Sequence, residues 1–220
     1  MPTTELQTAV IIVAAGSGNR LNGHTSDLPK QYQLLDHKSV LAHTVFAFTS
    51  HPAVQVVVPI ISAQHSKIYD DLALDNTKLL APVIGGNTRQ ASVFAGLKAL
   101  KAINPDIVLI HDAARPFVGS TIISNVIEAS KSGGAIPALP ITDTLKFVPD
   151  GKLISKTLDR SKHFVAQTPQ GFDFDAIFEA HEKAALHSDT EFTDDASIAE
   201  WANIDVAIVG GDPNNNKITF

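Results

Sequence analysis

The stretch VIIVAAGSGNRL, residues 10–21, is an unbroken apolar run that drops into Gly16-Ser17-Gly18 and then presents Arg20. Strands covered on both faces read as continuous apolar runs, whereas half-buried strands alternate. The same signature recurs at AVIIVAA (9–15), VQVVVPII (54–61), APVI (81–84), DIVLI (106–110), GAIPALP (134–140) and DVAIVG (205–210). Helical spacing fills the gaps. Residues 39–49 set Val40, Leu41, Thr44, Val45 and Phe48 on one stripe, and 120–130 and 172–187 also read as helices. Residues 88–102 set Val93, Leu97 and Leu100 together, with Asn87 expected as N-cap and Gln90 three residues later. Strand and helix in alternation predict an α/β fold: a mainly parallel, Rossmann-like sheet covered by helices on both faces.

One segment breaks the alternation. In TDTLKFVPDGKLISKTLDR (142–160), two polar–apolar alternating halves flank the turn signal PDG. It reads as a hairpin arm spanning about 141–165, either protruding or folded back as an edge hairpin. The PNNN at 213–216 reads as a turn.

A chain of 220 residues, 44% of them hydrophobic, suits one domain over 1–220 with a sizeable core. Net charge is −6, and no Lys/Arg-rich run offers a stripe for a nucleic-acid backbone. Any phosphate ligand must be met by a few placed cations. The absence of cysteine excludes disulfides, thiolate metal sites and cysteine nucleophiles. The opening MPTTELQ lacks the character of a signal peptide, and no apolar run approaches the roughly 20 residues of a membrane span. A cytoplasmic location is expected.

The glycine loop admits three readings. A dinucleotide fingerprint needs glycine at position 21, where Leu21 stands. A P-loop needs lysine where His24 follows Gly23. Both fail at the residue that carries their mechanism. The third reading is an anion-binding loop at the carboxyl end of the first buried strand, followed by Arg20 and by Pro29-Lys30. Arginine offers a fork to non-bridging oxygens and lysine a compact charge.

AAGSGNR, PKQY, GGNTRQASV, HDAARPFV, DTLK, TPQGF, TDDAS and NNNKIT follow one another across residues 9–219. As an ordered set they resemble the 2-C-methyl-D-erythritol 4-phosphate cytidylyltransferases of non-mevalonate isoprenoid biosynthesis. The resemblance implies transfer of a cytidylyl group from CTP to a polyol phosphate, with release of pyrophosphate. A phosphate nucleophile is already ionised at neutral pH, so the lack of a Ser-His-Asp set or a carboxylate dyad is what this chemistry predicts. It needs placed positive charge instead.

By resemblance, Arg20, Lys30 and Lys217 are catalytic. Ala14, Ala15, Gly16, Gly18, Gly85, Gly86, Asn87, Ser92, Asp112 and Ala113 bind CTP. Asp112, Arg115, Thr144, Arg160, Thr168 and Thr193 bind the polyol phosphate. Asp112, closing the run IVLIHD, is also the candidate ligand for Mg²⁺. Its neighbour His111 reads as a structural, hydrogen-bonded histidine. The arm is expected to cross to a second subunit, making a homodimer in which Thr144 and Arg160 complete the partner's pocket. The family also implies a further helix or a second catalytic domain after Phe220, and the segment between Gly18 and Pro29 is longer than in many relatives. Two alternatives stay open: a ribitol 5-phosphate cytidylyltransferase, and a non-catalytic nucleotide-binding module on the same fold.

Overall fold

The computed structural model describes residues 6–16, 28–187 and 192–218. Its strands are β1 (Thr8–Ala14), β2 (Leu34–Leu35), β3 (Lys38–Ser39), β4 (Val56–Ile61), β5 (Val83–Ile84), β6 (Ile107–Asp112), β7 (Gly134–Pro140), β8 (Lys146–Phe147), β9 (Lys156–Thr157), β10 (Phe164–Ala166), β11 (Gln170–Asp173) and β12 (Val206–Gly210). Its helices are α1 (Val40–Thr49), α2 (Ser66–Asp70), α3 (Arg89–Leu100), α4 (Ser120–Ala129), α5 (Phe174–Ala184) and α6 (Asp195–Trp201).

Eight strands form one sheet in the order β10-β7-β11-β6-β1-β4-β5, with β12 beside β7. The pairs β1–β4, β1–β6, β4–β5 and β7–β12 are parallel. The chain is α/β, with mostly parallel core strands. The apolar runs of β1, β4 and β6 match strands buried from both sides; β5 and β12 are also parallel but partly exposed, with Ile84 and Ile208 open to solvent.

Two strands depart from the expected pattern. β10 and β11 run antiparallel to their neighbours, and β11 lies between β6 and β7. QGFD is too short and mixed to stand out as a run. It becomes a strand because the chain returning from the arm fills the gap beside β6, where Gln170 and Phe172 are buried.

Alternation of side chains along β1 divides the core. Val10, Ile12 and Ala14 pack with α1 and α4; Ala9 and Ile11 pack with residues of α3, α5 and α6. Each fully buried branched side chain contributes about 1.5–3 kcal/mol of transfer free energy. α3 is capped by Thr88, whose hydroxyl accepts from Ala91 N–H at 3.0 Å, so the cap lies one residue after the expected Asn87. Either side chain could cap; the extended backbone of Thr88 decides it.

The arm forms its own two-stranded sheet, β8 against β9, and is not a folded-back edge hairpin. Asp150 accepts from Lys152 and Leu153 N–H in the turn, and Gly151 takes a positive φ of 70°. Phe147, Leu153 and Ile154 remain exposed on it.

Candidate active site

The register of the central strands places Val13 of β1 opposite Asp112 of β6, so the loop after β1 and the Asp112 carboxylate share the carboxyl end of the sheet. Lys217 donates to Asp112 Oδ2 at 2.7 Å, Arg89 Nε lies 3.6 Å from Oδ1, and Arg115 Nε lies 3.9 Å from Oδ2. Burial alone would raise the Asp112 carboxyl. The positive charges of Lys217 and Arg89, with the Lys217 hydrogen bond, outweigh it and hold the group down at about 2.

Arg89 is held from behind. Its NH2 forms an ion pair with Asp195 Oδ2 at 2.7 Å, and Asp195 is fully buried. Asp195 Oδ1 meets His181 Nε2 at 3.2 Å, also without solvent exposure. Gln170 Oε1 accepts from both Asp195 and Ala196 N–H, while its amide donates to Asp194 Oδ2, the N-cap of α6. Arg89 is the first residue of α3, where a helix dipole disfavours positive charge. The two carboxylates compensate it and raise its pKa against the downward pull of burial.

A neutral polar layer fixes the other side of Asp112. His111 is fully buried: burial drives its pKa down to about 4, its Nδ1 accepts from Thr168 Oγ1 at 3.0 Å and its Nε2 donates to the Arg115 carbonyl at 3.0 Å. The Thr168 hydroxyl accepts in turn from Asp112 N–H at 3.1 Å. His111 is therefore the structural histidine expected. Buried Asn215 donates to the Thr168 carbonyl at 2.8 Å and its own carbonyl accepts from Arg115 NH1 at 2.8 Å. With Ile218 N–H bonded to the Ala114 carbonyl, these contacts lay Lys217 across Asp112. Among the described residues, Arg115 Nε is buried with no hydrogen-bond acceptor.

The loop side is close by. Gly85 abuts Ala15 and Ser92 so tightly that a Cβ there would lie 2.7 Å from each side chain. Ser92 Oγ donates to the Thr88 carbonyl at 2.8 Å and accepts from Gly86 N–H at 3.2 Å, which shapes the Gly85–Asn87 segment. Asn87 itself is exposed. Lys30 opens a short 3-10 turn, Lys30–Tyr32.

The fold thus brings together Ala14, Ala15, Gly16, Gly85, Gly86, Ser92, Asp112, Ala113, Arg115, Thr168 and Lys217. Gly18 and Arg20 lie outside the described residues. Thr144 and Arg160 belong to the arm segment, and Arg160 donates to the Thr142 carbonyl. Thr193 is exposed just before the Asp194 cap. A separate cleft of about 460 Å³ lined by Thr8, Pro52, Gln55 and Ser124 lies at the opposite end of β1. It gathers no comparable set of charges.

The family model for 2-C-methyl-D-erythritol 4-phosphate cytidylyltransferase matches residues 8–220. The chain belongs to that family. It is 48% identical over 218 residues to a bifunctional enzyme IspD/IspF of Bradyrhizobium sp. (strain ORS 278), covering 99% of this chain and 54% of the relative. The chain thus spans about half the length of the curated relatives it matches. Among solved structures, the 4-diphosphocytidyl-2C-methyl-D-erythritol synthase of Anaerococcus prevotii superposes with a TM-score of 0.85 at 30% identity, covering 98% of this chain and 92% of that one. The bifunctional IspDF of Campylobacter jejuni gives 0.76 at 26% identity, with 97% of this chain and 52% of that one covered.

Within this cytidylyltransferase family member, reading from sequence assigned no role to Arg89, Asp195, His181, Gln170 or Gln31. Arg89 had a legible signal: a cation in the first turn of a helix asks for an anion nearby. The identity of that anion did not follow, because Asp195 lies 106 positions later in the chain.

Proposed function

We propose that this chain transfers the cytidylyl group of CTP to 2-C-methyl-D-erythritol 4-phosphate, releasing pyrophosphate. The observation that carries the reading is the convergence of Arg89, Arg115 and Lys217 on the Asp112 carboxylate beside the loop that leaves β1. Three cations stand against two carboxylates, Asp112 and Asp195, which leaves one positive charge in surplus, and among the described residues Arg115 Nε has no hydrogen-bond acceptor. That surplus suits an arriving phosphate.

An oxygen of the substrate phosphate forms a bond to the α-phosphorus as the bond to the bridging oxygen of pyrophosphate breaks. The attacking monoester is largely dianionic at neutral pH, so no proton need be removed. Arg20 and Lys30 grip the triphosphate and stabilise the departing pyrophosphate, and Lys217 moves from Asp112 to the phosphates at the reacting centre. Arg89 stays behind, tied to Asp195, and keeps Asp112 compensated when Lys217 leaves. Each preorganised cation supplies about 3–4 kcal/mol. Ala14, Ala15, Gly16, Gly18, Gly85, Gly86, Asn87, Ser92 and Ala113 surround CTP, with small residues admitting backbone contact to a pyrimidine. Arg115, Thr168 and Thr193 face the polyol phosphate. Thr144 and Arg160 act on a partner's pocket in a homodimer joined through the arm, whose exposed Leu153 and Ile154 supply apolar surface for the contact.

Among the described residues no group of three His, Asp or Glu side chains forms a metal site. Asp112, held ionised by its cationic neighbours, would offer an oxygen to a Mg²⁺ ion, which commonly takes its other ligands from phosphates and water. Bound there, the ion would neutralise charge on the triphosphate.

The test is pyrophosphate release from CTP and Mg²⁺ with each acceptor in turn. Methylerythritol phosphate as the preferred acceptor is the expected result. Preference for ribitol 5-phosphate would reassign the acceptor, and release with neither would overturn the enzymatic reading.

A further inference from the structure

Gln31 lies in the turn that carries Lys30, and its side chain is buried. Its amide nitrogen donates to the Ala14 carbonyl at 2.8 Å and to the Gly16 carbonyl at 2.9 Å. Both N–H bonds of one carboxamide are spent on the chain just where β1 ends. An amide is the right group for this because it offers two donors and carries no charge.

We infer that Gln31 is a positioning residue for the CTP triphosphate: it turns the carbonyls of Ala14 and Gly16 away from the anion and locks Lys30 to the loop. A peptide carbonyl and the following N–H point in opposite directions across a trans peptide plane. Holding the Ala14 carbonyl on Gln31 therefore aims the Ala15 N–H the other way. Left loose, these carbonyls can swing their negative ends toward the phosphates. Because Gln31 immediately follows Lys30, the same two hydrogen bonds set the distance between the lysine's backbone and the strand end.

The inference rests on the cytidylyl-transfer reading, and its test separates the two. Gln31→Met keeps the length and bulk but removes both donors. Gln31→Glu offers none when ionised and one when protonated. For Gln31→Met, kcat/KM for CTP falls about 10- to 30-fold, the scale of two lost hydrogen bonds, while KM for the polyol phosphate holds near wild type; the melting temperature also falls, because the buried Ala14 carbonyl loses its donor. For Gln31→Glu, activity relative to wild type at the same pH is highest near pH 5 and declines as the carboxyl ionises.

Unchanged CTP kinetics in Gln31→Met, equal losses for both substrates, or a flat activity ratio across pH in Gln31→Glu would each overturn the assignment. Each variant decides by itself if the other does not fold. An inactive wild type under the same conditions would instead count against cytidylyl transfer, and direct CTP binding to wild type and Gln31→Met would then still test the positioning role.

Discussion

The Asp112 end of the sheet and the β8–β9 arm both carry cations, but they hold them differently. At Asp112, Lys217 reaches a partner 105 positions away and Arg115 one 100 positions away. In the arm, Lys146 bonds Thr157 and Arg160 bonds Thr142, spans of 11 and 18 positions. Long-range contacts with buried acceptors preorganise a charge for catalysis. Short-range contacts on an exposed hairpin give the arm its shape and leave its cations available to something outside it. The first region fixes its charges against distant parts of the chain; the second fixes them only within the hairpin.

The sharpest way to break this contrast is to remove a buried anchor. Asp195→Ala leaves Arg89 without its closest counter-charge, and the expected loss is about 3–5 kcal/mol in urea unfolding. The arm substitution Lys146→Ala should fall within about 0.5 kcal/mol of wild type. Similar losses from the two would erase the distinction between the regions.

Removing a charge from the site without disturbing its anchors tests catalysis. Lys217→Ala is expected to lower kcat by about 10²–10³, the effect of losing one preorganised electrostatic donor, with little change in unfolding. Steady-state kinetics would show it.

The neutral layer makes a prediction in pH. The His111 pKa is lowered from 6.5 to about 4, so the unfolded chain binds a proton in that window that the folded chain refuses. Its contribution of about 3 kcal/mol is present above pH 6.5 and lost as pH falls toward 4. Urea titrations of wild type should show this slope, and His111→Gln should show less of it. An equal slope in both would place the sensitivity elsewhere.

The smallest effect belongs to the arm. Arg160→Glu should raise KM for the polyol phosphate about tenfold, roughly one hydrogen bond to a charged group, and leave KM for CTP unchanged. Equal changes in both would contradict a role confined to the polyol pocket.

Much of the fold is legible where burial imposes continuity. AVIIVAA, VQVVVPII and GAIPALP read as strands because both faces are covered, and each appears in the sheet near its expected limits. β11 escaped because four mixed residues carry no period, and only a vacancy beside β6 makes them a strand. The cap of α3 shifted by one residue because Asn87 and Thr88 have similar capping chemistry and backbone geometry chooses between them.

The candidate site divides in the same way. Asp112 and Lys217 were readable from their blocks, and the fold joins them by a hydrogen bond. Gln31 and Asp195 sit in quoted blocks too, PKQY and TDDAS, yet nothing local distinguishes a glutamine that holds two carbonyls from one that faces water.

The order of the apolar runs determined the α/β class, the helices between the strands and the end of the sheet where polar residues gather. Those features follow from local periodicity and from the requirement that covered strands be apolar throughout. Tertiary structure alone decided that Arg89 belongs to Asp195 and Asp112, that His111 stays neutral and that Gln31 reaches back to the strand end. These depend on distances between residues far apart in the chain, and on burial, which makes each buried charge or donor require a partner that linear order does not identify.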